Sequence, residues 1–217
     1  MMTRTALPLA VLLLGIAAVA AQDMPLSYSD VRLVINSGVT NIDSINEEEV
    51  DGGSFDSSIR VEIQYVYNQR VNDFLGWNAG GGLTIQNDSF DDALVDGLGN
   101  RVNWDFTSVG LTFRGGVTAF VNPFLTIELS PFFSFMSTSS DSFTFNGLRY
   151  DSTSGSGTEV GIVLGGYGRF EGFLVGLEVG YLDRSMTYEW NVDGGLFDDI
   201  KFSSSGGTVA LVLGYSW

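Results

Sequence analysis

Residues 207–217 read Gly207-Thr208-Val209-Ala210-Leu211-Val212-Leu213-Gly214-Tyr215-Ser216-Trp217. Successive side chains of an extended strand point to opposite sides, so Val209, Leu211, Leu213, Tyr215 and Trp217 share one face. Thr208, Ala210, Val212, Gly214 and Ser216 share the other. The first face is uniformly large and apolar; the second is small or mildly polar. Residues 104–121 repeat the pattern: Val109, Leu111, Phe113, Val117, Ala119 and Val121 alternate with Ser108, Thr112, Arg114 and Thr118.

The charges decide which face is inside. Setting Arg114 against hydrocarbon costs roughly 2–4 kcal/mol near a bilayer midplane, and that register also buries the Phe and Val face. The same logic sends Arg32, Arg60, Glu62, Gln64, Asn78, Arg114, Glu128, Glu159, Tyr167, Arg169, Glu178 and Arg184 inward. A soluble sandwich keeps its interior apolar and its exterior charged. Five arginines and four glutamates facing a common interior invert that arrangement, as a membrane barrel does. Hydrocarbon offers no water to a free sheet edge, so the sheet must also close.

Eight alternating runs fall near residues 28–40, 55–68, 75–87, 104–121, 124–136, 156–170, 173–187 and 205–217. The connectors at 69–74, Asn122-Pro123 and Glu171-Gly172 are tight, whereas 41–54, 88–103, 137–155 and 188–204 are long and polar. In an up-and-down meander this puts every tight turn on one rim and every long loop on the other. Tyr67, Phe74, Trp77, Phe124, Phe170, Phe173 and Trp217 are expected to ring the short-turn rim. Trp104, Phe106, Phe133, Phe135, Tyr188 and Trp190 are expected to ring the long-loop rim. The fold class read from these patterns is all-β, an eight-stranded antiparallel up-and-down transmembrane β-barrel preceded by a signal peptide.

Residues 1–21 carry the signal-peptide layout. Arg4 precedes an apolar run from Leu7 to Ala21, interrupted by Pro8 and closing on small residues. Cleavage there leaves 22–217 as one barrel domain. With no Cys anywhere, no disulfide supports the fold. The net charge of −16 disfavours nucleic acid as a partner.

Val209-x-Leu211-x-Leu213-x-Tyr215-x-Trp217 resembles the C-terminal sorting signal of Gram-negative outer-membrane barrels. Together with the leader and the eight strands, the chain resembles the small OmpA/OmpX-type and opacity-like barrels, grouped as the outer-membrane protein β-barrel domain. That resemblance implies residence in the bacterial outer membrane among its lipids and lipopolysaccharide. It also implies insertion by the barrel-assembly machinery, a monomeric state and no cofactor.

Enzymes among such barrels generally depend on a catalytic histidine, and this chain has no His. The usual general base near neutral pH is therefore missing, and neither His nor Cys is present for zinc. No catalytic residue and no metal ligand is assigned. Arg32, Arg60, Glu62, Arg114, Glu128, Glu159, Arg169, Glu178 and Arg184 form instead a lumen charge network, either a structural plug or a gated polar path for ions or small solutes. The long loops are acidic, with Asp43, Glu47, Glu48, Glu49 and Asp51 in the first, Asp88, Asp91, Asp92 and Asp96 in the second, and Asp193, Asp198 and Asp199 in the last. Phe90, Leu94, Phe143, Phe145 and Leu196 add apolar surface to those loops. The expected role is non-enzymatic: structural, or interaction at the cell surface through four acidic outward loops.

Overall fold

The computed structural model describes residues 25–45, 48–49, 57–94, 101–145, 148–189 and 199–217; the leader read over 1–21 lies outside them. The strands are β1 (Ser27–Ile45), β2 (Glu48–Glu49), β3 (Ser57–Arg70), β4 (Leu75–Leu94), β5 (Arg101–Asn122), β6 (Leu125–Phe145), β7 (Leu148–Phe170), β8 (Phe173–Glu189) and β9 (Asp199–Ser216). Strand β2 is a two-residue addition to the end of β1. The other eight pair antiparallel in chain order, and β9 returns to pair with β1, closing the barrel. No helix among the described residues is long and apolar enough to cross a membrane, and a barrel crosses with strands.

The register fixes the tilt. Paired neighbours lead from Ser204 on β9 through Arg184, Glu159, Ser134, Thr112, Gly82, Gln64 and Arg32, and back to β9 at Gly214. The circuit returns ten residues along β9, from 204 to 214, and that stagger tilts the strands against the barrel axis.

Exposure alternates with the expected parity. On β9, Val209, Leu211, Leu213 and Tyr215 are exposed, as is Trp217 just beyond it, whereas Ala210 and Val212 are buried. The outer wall is a band of Leu, Ile, Val and Phe, and five arginines and six carboxylates are buried inside it. Two of the tight turns are shaped by Asn side chains. Asn72 Oδ1 accepts from the Phe74 and Leu75 N–H groups, and Asn122 Oδ1 from those of Phe124 and Leu125. In the third, Glu171 and Gly172 both have positive φ, 50° and 90°, the backbone of a type I′ hairpin whose twist matches its flanking strands.

The long-loop rim departs from the expectation. β6 runs to Phe145 and β7 starts at Leu148, so most of the loop read over 137–155 is a hairpin extension. The segments read as loops at 41–54, 88–103 and 188–204 are likewise partly strand, at 41–45, 88–94, 101–103, 188–189 and 199–204. Phe90, Leu94, Phe143 and Phe145 are therefore strand residues. Hydrophobic periodicity ends before the strands do, and the backbone ladder continues with Ser137, Ser139, Ser156 and Thr158 facing outward.

Candidate functional site

The lumen holds two linked clusters of ion pairs. At the short-turn end, Asp30 and Arg32 share the inner face of β1. Arg32 grips Glu128 of β6 with both guanidinium arms, at 2.9 and 2.8 Å, and donates to Asp30 at 2.6 Å. Asp30 also accepts from Arg169 at 2.9 Å, from Asn68 at 3.1 Å and from Ser216. Arg169 donates to Thr126 at 2.6 Å and lies over the Tyr28 ring. A planar five-donor fork suits this task, because it serves two carboxylates at once.

A second cluster fills the middle and the outer half. Glu178 accepts from Arg114 at 2.8 Å and from the Tyr167 hydroxyl. Arg114 donates at 3.0 Å to Gln64, whose amide donates at 2.5 Å to Glu62. Glu62 pairs with Arg60, and Arg60 with Glu159. Arg184 bridges Glu159 at 3.0 Å and Asp88 at 2.9 Å, and Asp88 accepts from Gln86 at 2.9 Å. The clusters meet where the Arg32 guanidinium lies 4.4 Å from the centroid of the Tyr167 ring, a cation–π contact.

An apolar collar stands at the outer end of this column. Phe106, Tyr188 and Phe202 are buried, with edge-on ring contacts at 5.7 and 6.2 Å, and Met136 and Met186 are buried as well. Among the described residues, a cavity of about 20 Å³ lies in the charged stretch between the collar and the short-turn end, room for about one water. Among the described residues, no group of three or more His, Cys, Asp or Glu could hold a metal ion.

A closed antiparallel barrel, apolar outside and ion-paired inside, can now be set beside solved structures. The outer-membrane protease OmpT from Escherichia coli superposes with a TM-score of 0.53 at 12% identity, over 93% of this chain and 99% of that one. This chain has the outer-membrane β-barrel fold. Ail, the attachment invasion locus protein of Yersinia pestis, matches at TM-score 0.47 and 14% identity, over 89% of this chain and 100% of that one. OprG from Pseudomonas aeruginosa matches at 0.45 and 11%, over 89% and 97%. No protein-family model matches the sequence, and no curated protein does. An apolar wall around a closed barrel of this fold locates the chain in the bacterial outer membrane.

Within this outer-membrane barrel, Arg32, Arg60, Glu62, Arg114, Glu128, Glu159, Arg169, Glu178 and Arg184 are all buried and all in the two clusters. Gln64, Asn78 and Tyr167 are buried beside them. Val209, Leu211, Leu213, Tyr215 and Trp217 line the lipid face of β9. The parity reading passed over Asp30, although it shares the Arg32 face. Asp88, read as a loop acid, is a β4 lumen residue paired with Arg184. Phe106 and Tyr188, expected at the headgroup girdle, are 3% and 0% exposed and form the collar, because their parity matches the inward Ser108 and Arg184. With Asp30 and Asp88 counted, five arginines face six carboxylates among the described residues. Of the remaining loop acids, Glu47, Asp51, Asp96, Asp193 and Asp198 lie outside the described residues, as do Leu196 and Trp190.

Proposed function

We propose that this barrel is a non-enzymatic anchor, structural or surface-interacting, whose activity lies in its outward loops rather than its lumen. The observation that carries the reading is the filled lumen. Ion pairs run in sequence from Asp30 to Asp88 beneath an apolar collar, and a cavity for about one water is no path for a solute. The lack of histidine supports a non-catalytic role. On this reading the mature chain begins near residue 22 after leader cleavage, is inserted by the barrel-assembly machinery, stands as a monomer among lipopolysaccharide, and uses no cofactor.

Planar-bilayer recording on purified protein tests the sealed lumen. The expected result is no discrete current step across pH and voltage. The second reading, a gated channel, is favoured by the continuity of the charged column. Steady current that disappears in Glu128→Gln or Arg114→Gln would support it. Unchanged lipid A by mass spectrometry, in cells with and without the gene, is the expected result for a barrel that is not a lipid-active enzyme.

A further inference from the structure

The mid-lumen cavity is lined by the charged residues Arg60, Glu62, Arg114 and Glu178 and, among others, by Asn36, Val163 and Thr208. Arg114 is buried, and its terminal nitrogens serve Gln64, Glu178 and Tyr167. Its Nε has no hydrogen-bond partner among the protein atoms. Of the other lining residues, neither Asn36 nor Thr208 makes a side-chain hydrogen bond to another described residue. A residue with an unpartnered buried donor and two residues with side-chain acceptor oxygens therefore line a space of about 20 Å³.

We propose that this cavity is a binding site for a single water molecule. The water accepts a hydrogen bond from Arg114 Nε and donates to the side-chain oxygens of Asn36 and Thr208. The alternatives fit less well. A cation would meet Arg60 and Arg114, while the lining carboxylates Glu62 and Glu178 already hold those arginines. An anion would meet Glu62 and Glu178. A dry cavity would have an apolar lining; this one is mostly polar. Water both donates and accepts, and the volume suits one molecule. The bridge has a structural consequence, because Asn36 stands on β1 and Thr208 on β9. It ties the charged half of the lumen to the strand pair that closes the barrel.

Two measurements test this. A high-resolution crystal structure of the full barrel is expected to show one ordered water at about 3 Å from Arg114 Nε. Val163→Ile pushes a methyl group into the cavity, so it should expel that water and lower the urea midpoint of the refolded protein. A wild-type cavity without ordered water overturns the proposal, as does a raised midpoint in Val163→Ile, which is the response of a dry cavity being filled. Should that variant fail to fold, the wild-type crystal structure decides alone.

Discussion

Arg32 lies over the ring of Tyr167, its guanidinium carbon 4.4 Å from the ring centroid. The Tyr167 hydroxyl, on the other side of that ring's reach, donates to Glu178. One aromatic side chain thus joins the short-turn ion cluster to the mid-lumen cluster. Tyr167→Phe keeps the ring under Arg32 and loses only the hydroxyl, so it should cost about 1–2 kcal/mol. Tyr167→Leu also removes the cation–π contact and should cost up to about 2 kcal/mol more. Urea titration of the refolded barrel in vesicles measures both, and equal losses in the two variants would show that the ring contact contributes nothing.

Asp30 is the hub of the lower cluster, holding Arg32, Arg169, Asn68 and Ser216. Asp30→Asn leaves two buried guanidinium groups short of a counter-charge and should destabilise by roughly 3–5 kcal/mol. Adding Arg169→Met removes one of those stranded charges. The double variant should therefore be more stable than the sum of the two single losses predicts. Strict additivity in a double-mutant cycle would mean that Asp30 and Arg169 are not coupled.

The inward glycines make room for the large lumen side chains. A Cβ at the inward Gly176 would run into the Tyr167 ring, whereas one at Gly166, which faces outward on β7, meets nothing within 4 Å. Gly176→Ala should therefore displace Tyr167 and cost about 1–3 kcal/mol. Gly166→Ala should be neutral or stabilising by up to about 1 kcal/mol, through the entropy of the unfolded chain. The contrast between the two unfolding midpoints is the readout.

On the outer wall, Leu211 lies within the apolar stretch of β9 and is 43% exposed. Leu211→Arg should cost roughly 2–4 kcal/mol in a bilayer. The same substitution at Ser137, exposed on the β6 extension beyond the apolar band, should cost no more than about 0.5 kcal/mol. Refolding yield into vesicles, scored by the altered gel migration of unboiled barrel, ranks the two.

Much of this was legible because a barrel wall is written in parity. Once Arg114 had chosen the inner face of β5, the burial of Arg60, Glu159 and Arg184 followed from counting in twos. Besides Asp30, three things escaped that count, each for a physical reason. Asp88 sits beyond Ile85, where the outward positions of β4 turn polar with Asn87 and Ser89, so the alternating signal had ended while the ladder and the lumen continued. Phe106 and Tyr188 are amphipathic-looking rings at a rim, and composition alone cannot separate a headgroup girdle from a lumen collar; their parity can. The pairing of particular carboxylates with particular arginines depends on the ten-residue stagger from Ser204 to Gly214, and no local pattern in the sequence records that offset.

Since the chain has no cysteine, spin labels can be placed singly at Val209, Ala210, Leu211, Val212 and Leu213 in bilayer-reconstituted protein, and their collisions with oxygen and with a water-soluble nickel chelate compared. Labels at 209, 211 and 213 should meet oxygen dissolved among the acyl chains and little chelate, while those at 210 and 212 are sheltered from both. If the odd-numbered labels were sheltered instead, and a label replacing Arg60 met chelate freely from outside the wall, the barrel would not be apolar outside and charged within.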